Sequence, residues 1–307
     1  MTLIRKPAQL DVPQTVKAMV YGQAGMGKST LALSAPNPLL LDFDGGVHRV
    51  NLGHQTDTVP IHNWKEANDV LKEDLSEYKT IVVDTVGKMM DYIILHVCRG
   101  KIPQIRDWGS INQEFSNFTR NASALNKHVI YVAHRDVRKE GDENVFVPAL
   151  REKSYSAIVT ELDLLGYVEA KGTERTVTFD PTSRNDGKNT CNLPGLMTIP
   201  TVVDAKGNAQ PNTFFRTHII DPYIANQQKR VELSKAYDTV IGEIKENILL
   251  ITDELSANDL ICRIDKFKHV GNSKAVAAKL LSAKAKELGL KFNDKDKKYE
   301  KQTKSLL

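Results

Sequence analysis

Residues 22 to 29 have the types and spacing of a phosphate-binding loop, Gly-Gln-Ala-Gly-Met-Gly-Lys-Ser. Its glycines let successive backbone N–H groups face a phosphate at the start of a helix. Lys28 would bring a cation to the β- and γ-phosphates, and the Ser29 hydroxyl would ligate Mg²⁺. This chemistry predicts a site for a nucleoside triphosphate, with ATP and Mg²⁺ as the expected cofactors. The residues expected at the nucleotide are Gly22, Gln23, Ala24, Gly25, Met26, Gly27, Lys28, Ser29 and Thr30.

A strand must precede such a loop and a helix must follow it. Residues 16–21 read as an apolar strand, and residues 29–34 read as the start of a helix that Pro36 ends. A glycine-rich turn that matches by chance is the alternative for the motif alone. The strand before the loop and the helix after it disfavour that alternative.

Acidic residues at the ends of two predicted strands could complete the site. Asp84 follows the apolar run at residues 80–83, the usual position of a carboxylate that holds Mg²⁺ through water. The next residue is Thr85 rather than glutamate, so we expect the catalytic base elsewhere. Asp42 and Asp44 end an earlier strand, and Asp44 is predicted to polarise the attacking water. The alternative is that both aspartates cap the glycine turn that follows them.

A histidine follows another predicted buried strand, at residues 128–133. If this strand ends at the same edge of the sheet, the imidazole of His134 could contact the γ-phosphate. An ordinary, partly exposed histidine is the alternative. We therefore expect Lys28, Asp44 and His134 to be the catalytic residues.

Strand and helix signals alternate over the first two-thirds of the chain, which predicts an α/β fold with a mostly parallel sheet and crossover helices. A hairpin tip is expected at residues 141–144. From about residue 225 apolar residues recur at helical spacing and strand signals are absent. The expected domains are an ATP-binding domain at residues 1–222 and a helical C-terminal region at residues 223–307.

The composition is that of a protein with an ordinary hydrophobic core. The 307 residues are 41% hydrophobic and 26% charged, with a formal net charge of +4. No apolar run approaches the roughly 18 residues that a membrane helix needs, and the N-terminus lacks the apolar segment of a signal peptide. We expect no membrane partner and a cytoplasmic location, where three widely spaced cysteines would stay reduced.

Lysines are concentrated near the C-terminus. Residues 266–304 contain twelve lysines and four acidic residues, whereas the rest of the chain is acidic overall. A solvated helical tail and a surface that contacts a polyanion are both compatible with this pattern.

The ordered set of motifs resembles the RecA-like ATPases, and among them the short phage-encoded proteins of the Sak single-strand-annealing group. The motifs that carry the resemblance are the phosphate-binding loop and residues 41–46, 82–85 and 132–134. The resemblance covers roughly residues 14–200 and implies a RecA-like core, ATP hydrolysis, and assembly into a filament or ring. It also implies a role in phage-type homologous recombination or strand annealing, in the cytoplasm of a bacterial host.

The same resemblance implies roles for individual residues. A strand-end acid is the base in this group, and a polar residue at the position of His134 senses the γ-phosphate. Lys188, in the turn at residues 185–189, would reach the nucleotide of a neighbouring subunit. The base of the group is usually glutamate, and Asp44 is one carbon shorter, so we expect slow hydrolysis.

RecA-like proteins bind single-stranded DNA through two loops near the ATP-binding edge. The matching segments here are residues 99–108 and 135–139, and the expected DNA contacts are Arg99, Lys101, Arg106, Trp108, Arg138 and Lys139. Trp108 could stack on bases or anchor the following helix, and both interpretations stay open. No base-reading motif is present, so we expect binding independent of sequence, with a single-strand-binding protein as a candidate partner.

Three other classes of function compete with this one. A GTPase is disfavoured because Val129 stands where guanine recognition needs an aspartate. A nucleotide kinase would need an arginine-rich lid, which the basic segments do not obviously form. A loader or motor for DNA replication or packaging would share ATP and DNA but differ in action.

Overall fold

The computed structural model describes residues 3–5, 9–12 and 14–301. The contacts divide the chain into two units. Pro13–Asn226 form an α/β unit, and Gln227–Leu307 form a C-terminal unit to which Met1–Val12 are also assigned.

The first half of the α/β unit alternates strands with helices, as the sequence predicts. Its elements are β1 (Lys17–Gly22), α1 (Lys28–Ala32), β2 (Pro38–Asp42), β3 (Thr58–Pro60), α2 (Trp64–Val70), β4 (Thr80–Asp84) and α3 (Val86–Cys98). The second half contains α4 (Trp108–Ala124), β5 (His128–Glu140), β6 (Glu143–Pro148), α5 (Glu152–Glu161), β7 (Leu164–Lys171), β8 (Glu174–Thr178), β9 (Lys188–Asn189) and β10 (Leu196–Ile199).

These strands form one mixed sheet in the order β10-β8-β7-β1-β5-β4-β2-β3, with β6 paired to β5 and β9 to β7. The pairs from β7 to β3 are parallel, which confirms the predicted α/β class with a mostly parallel sheet. The register sets Gly22 opposite His134 and Asp42 opposite Asp84. Polar residues from different strands are thereby aligned at the carboxyl edge of the sheet.

The central strands are apolar because both of their faces are covered. In β1, Met19 and Tyr21 belong to the core on one side of the sheet, whereas Ala18 and Val20 belong to the core on the other side. The first core also holds the buried faces of α2, α3 and α4, and the second holds those of α1 and of residues 214–223. Both cores position the edge from which the phosphate-binding loop leaves the sheet.

The fifth strand is longer than the sequence predicts. It was expected to end before His134, but β5 runs on to Glu140 and pairs with β6 in an antiparallel hairpin. The predicted hairpin tip is present, with Gly141 at a φ of +63°. The single hydroxyl hydrogen of Tyr21 is within reach of two backbone oxygens, those of Phe146 in β6 (2.9 Å) and of Asp186 (2.7 Å). These partly buried contacts connect β1 with the hairpin.

A π-helical turn, Phe215–Ile220, leads into α6 (Asp221–Leu249), which continues into the C-terminal unit. That unit also contains α7 (Glu254–Arg263), α8 (Ser273–Glu287), β11 (Leu290–Asn293) and β12 (Lys298–Lys301). The helical prediction is confirmed, but the expectation that this region has no strands is wrong. The β11–β12 hairpin forms because Leu290 and Tyr299 are buried with the helices.

Among the described residues, no helix combines the length and apolar character that crossing a membrane requires. Within the described part of the chain, Cys98, Cys191 and Cys262 are not joined by disulfide bonds, and the first two are buried.

The close approach of β1 and β7 generates a prediction about stability. A Cβ at Gly22 would lie 2.3 Å from the carbonyl oxygen of Val168, so Gly22→Ala must push backbone apart. We expect a loss of at least about 1–3 kcal/mol in the free energy of unfolding, the usual cost of overpacking. Urea unfolding followed by the fluorescence of Trp64 and Trp108 measures it. Gly109→Ala is the control, because a Cβ there meets nothing within 4 Å; equal stability of both variants would contradict the prediction.

Candidate functional site

The phosphate-binding loop leaves β1 at its carboxyl end and enters α1 at Lys28. Gly25 has a φ of +78° and Gly27 a φ of +80°. This is the left-handed region, which favours glycine over residues with a side chain. The glycines of the motif are therefore required by the backbone path of the loop.

Lys28 is a buried residue at this loop, and its ammonium group donates to the carbonyl oxygen of Gln23 at 2.8 Å. Burial lowers the pKa of Lys28, and the nearby negative charge of Asp84 partly restores it. A phosphate in the loop would offer Lys28 a charged acceptor in place of a neutral carbonyl. The arrangement suits a lysine that binds the phosphates of a nucleotide.

Asp84 ends β4 and is buried beside α1. Burial raises the pKa of Asp84, while a hydrogen bond from the Ser29 hydroxyl lowers it and the charge of Asp42 raises it further. A hydroxyl next to a buried carboxylate is the donor set that P-loop proteins offer to Mg²⁺. Ser29 and Asp84 therefore fit a Mg²⁺ ion. The hydroxyl of Thr85, the next residue, accepts from the backbone N–H of Lys88 (3.4 Å) and caps α3.

Asp42 organises the loop that follows β2. Its carboxylate accepts hydrogen bonds from the backbone N–H groups of Asp44 (3.2 Å), Gly46 (3.0 Å) and Val47 (3.0 Å). The turn-capping alternative therefore describes Asp42.

Asp44 is held differently. Its carboxylate accepts from the guanidinium of Arg49, with an Nη1–Oδ2 distance of 3.1 Å, and 24% of its side chain is exposed. The loop that Asp42 stabilises therefore places the Asp44 carboxylate next to the Arg49 guanidinium, a pairing that the sequence motifs do not predict.

His134 lies where β5 passes from its parallel pairing with β1 to its antiparallel pairing with β6. The cavity walls remove part of the water around the imidazole. This desolvation and the positive charges of Lys28 and Arg49 lower the pKa of His134, while Asp44 raises it. The lowered pKa favours the neutral imidazole, which can form a hydrogen bond with a phosphate.

The predicted groups meet at one cavity of about 250 Å³. Those that line it are Ala24, Gly25, Gly27, Lys28, Ser29, Thr30, Asp44, Asp84 and His134. Gly22 and Gln23 shape the loop, and Met26 lines a neighbouring cavity of about 330 Å³. Arg49 lines both cavities, and Arg175 on β8 lines the second. A Cβ added at Gly27 would lie 3.9 Å from Nε of Arg175.

No local signal in the sequence indicated either arginine. Arg49 reaches Asp44 only because a short 3₁₀ helix, Val47–Arg49, turns the chain back. Arg175 is far from the loop in sequence, and the pairing of β8 with β7 brings it there.

Lys188 does not line this cavity. Its ammonium donates to the carbonyl oxygens of Val159 (2.9 Å) and Thr160 (3.1 Å), in the last turn of α5. A cation from β9 at this position stabilises the C-terminal end of α5. The contact in trans stays a prediction, and it would require Lys188 to give up both bonds.

Arg138, predicted to contact DNA, is already paired. Its guanidinium donates to both carboxylate oxygens of Asp186 at 3.0 Å and to Glu140 at 2.6 Å, and Tyr155 donates to the same Asp186. Two carboxylates compensate its charge, so little of it is available to a phosphate. Lys139 beside it is exposed.

Trp108 is partly buried against the first core, and the guanidinium of Arg151 lies over its ring, 3.8 Å from the centroid. These contacts suit an anchor for α4, and stacking on a base would require Arg151 to move. Arg99, Lys101 and Arg106 are exposed in the segment between α3 and α4.

Residues 14–191 match the sequence profile of the family described as AAA domain. A search of curated protein sequences found no match. Among solved structures, the flagellar accessory protein FlaH from Methanocaldococcus jannaschii is similar, with a TM-score of 0.40 and 12% identity over 67% of this chain and 91% of that one.

The position of His134 predicts a pH dependence of nucleotide affinity. The imidazole has a lowered pKa in the free protein, and a triphosphate would raise that pKa by adding negative charge. Affinity for ATP should therefore increase as the pH falls from about 8 to about 5.5. His134→Gln should lose this component, whereas His96→Gln, an exposed control on α3, should keep it. Calorimetric titrations across this range measure it, and identical pH profiles for wild type and His134→Gln would contradict it.

Proposed function

Because the chain belongs to the AAA domain family and is a P-loop NTPase, we propose that it is a Mg²⁺-dependent ATPase that acts on single-stranded DNA in phage-type homologous recombination or strand annealing. The observation that carries the ATPase part is the cavity at the carboxyl edge, where Lys28, the Ser29–Asp84 pair and Asp44 meet.

Each of these groups has a part in hydrolysis. The backbone N–H groups of the loop and Lys28 bind the phosphates and hold the γ-phosphate in place. Ser29 and Asp84 would hold Mg²⁺, and the ion would supply positive charge to neutralise the phosphate oxygens. His134 contacts the γ-phosphate from the neighbouring strand.

Asp44 is the proposed general base. Its carboxylate faces the same cavity as Lys28 and Asp84, and it accepts the proton of the water that attacks the γ-phosphorus. The bond from phosphorus to the β,γ-bridging oxygen breaks, and ADP and inorganic phosphate leave. The aspartate side chain is short for this role, which is consistent with a low turnover number.

Contact with single-stranded DNA is proposed for the segment between α3 and α4. Leu95 of α3 lines a cavity that Asp44 also lines, and Leu95 packs near Gly100 at the start of the segment. Ile102 and Ile105, which lie between Lys101 and Arg106, are 87% and 94% exposed. An exposed basic and apolar segment close to the ATP site suits a ligand with phosphates and bases.

The assembly and setting belong to the same proposal. The protein acts as a homo-oligomer, a filament or a ring, in the cytoplasm of a bacterial host, with a single-strand-binding protein as a candidate partner. The resemblance to RecA-like phage proteins supports these points. DNA stimulates the ATPase because ordering of the segment is coupled to the nucleotide.

Substitutions in the cavity separate binding from chemistry. Lys28→Ala should abolish ATP binding or hydrolysis, because the loop loses its cation. Asp44→Asn should bind ATP at least as tightly as the wild type, while the turnover number falls roughly a hundredfold or more, as for loss of a general base. Asp84→Asn should instead weaken the Mg²⁺-dependent part of binding. Phosphate release and calorimetry measure the two effects. Full activity of Lys28→Ala, or normal turnover of Asp44→Asn, would contradict the respective assignment.

Neutralising the exposed cations tests the DNA contact. Replacing Arg99, Lys101 and Arg106 together by alanine should weaken binding of single strands of any sequence. The slope of log affinity against log salt concentration should become less negative by about 2. Each of the three lost phosphate contacts on a single strand accounts for about 0.7 of that slope. Fluorescence anisotropy of a labelled oligothymidine measures both quantities. The control is a variant with the same change in net charge, in which three exposed lysines elsewhere are replaced by alanine: Lys65, Lys72 and Lys171.

The lysine-rich C-terminal unit offers a competing surface, and alanine at Lys279, Lys286 and Lys291 tests it in the full-length chain. If only this variant loses DNA, the contact lies in the C-terminal unit. If neither variant changes binding and DNA does not stimulate hydrolysis, the recombination role fails and a nucleotide kinase becomes the better candidate.

A further inference from the structure

Arg49 occupies the cavity that Lys28 lines, and it is the partner of the proposed base. Its Nη1 donates to the carboxylate of Asp44 at 3.1 Å, and its Nη2 approaches the backbone oxygen of the same residue at 3.4 Å. The arginine side chain is 71% exposed. An exposed ion pair of this kind contributes little to stability, so an anion of higher charge can replace Asp44 as the partner of Arg49.

The balance of charge in the cavity explains why a bound triphosphate would attract Arg49. Among the described residues that line the cavity, the cations are Lys28 and Arg49, and the carboxylates are Asp44 and Asp84. The two positive and two negative charges balance before a nucleotide binds. A triphosphate adds several negative charges, and Arg49 also lines the adjacent cavity, so it stands beside the volume that a nucleotide must enter.

We propose that Arg49 is a γ-phosphate contact supplied by the same subunit, which exchanges the Asp44 carboxylate for the phosphate when a triphosphate binds. The exchange leaves Asp44 free to accept the water proton only when a γ-phosphate is present. ADP lacks that phosphate, and with ADP the Arg49–Asp44 pair stays closed. The Asp44 side of this exchange rests on the proposed ATPase function.

Nucleotide affinities test the phosphate contact without turnover. The probes are the β,γ-imido analogue of ATP and ADP, each with Mg²⁺, in calorimetric titrations of the full-length protein. Arg49→Ala should lower the affinity for the analogue by roughly ten- to hundredfold, as for a lost charge-assisted hydrogen bond. The affinity for ADP should stay almost unchanged. Arg49→Lys should restore part of the difference between the two nucleotides. Arg216→Ala, which removes an exposed arginine paired with Asp221, is the control and should change neither.

A double-mutant cycle tests the exchange. Asp44→Asn should increase the affinity for the analogue more when Arg49 is present than in the Arg49→Ala background. Only a protein with both Arg49 and Asp44 must break their ion pair when the analogue binds. Equal gains in both backgrounds would overturn the exchange. Equal losses for the analogue and ADP in Arg49→Ala, or no loss for either, would overturn the phosphate contact. Lack of hydrolysis by the wild-type protein would count against the proposed ATPase, and the binding comparison would still decide the role of Arg49.

Discussion

The parallel register of the central strands is the constraint on which the site depends. Hydrogen bonding sets Gly22 opposite His134 across β1 and β5, and Asp42 opposite Asp84 across β2 and β4. Since the strands run in the same direction, the chain leaves each of them at the same edge. A slip of one residue in any strand would turn its polar terminal side chain toward the opposite face.

Charge and burial at that edge set the chemistry. Burial raises the pKa of Asp84 and lowers that of Lys28, so both charged forms depend on each other or on a ligand. An anion bound by Lys28 and a cation bound by Asp84 would relieve both costs. Asp44 and Arg49 stand at the open side of the cavity, where water still screens their pairing. The buried pair suits binding, and the exposed pair can rearrange.

The need to compensate charge also explains why some basic residues are paired within the chain and are not available to a ligand. The carboxylate of Asp186 accepts from Arg138 of β5 and from Tyr155 of α5, and its backbone oxygen accepts from Tyr21 of β1. One residue therefore connects the β5–β6 hairpin with α5 and with the central sheet. Lys188 in turn closes the end of α5. These cations stabilise tertiary structure, because a partly buried cation needs acceptors from its own chain. Exposed cations, such as those between α3 and α4, are under no such requirement.

The sequence by itself determined the phosphate-binding loop and the strands around it. Gly25 and Gly27 need positive φ, and β4 is an unbroken apolar run because both faces of its sheet are covered; both are local properties of the chain. Only the tertiary structure decided how far β5 extends and which acceptors Lys188 binds, because β6 and the last turn of α5 supply those partners. The pairing of Arg49 with Asp44 likewise depends on the turn that Asp42 stabilises, and pairing between side chains at such a turn leaves no periodic signal in a sequence.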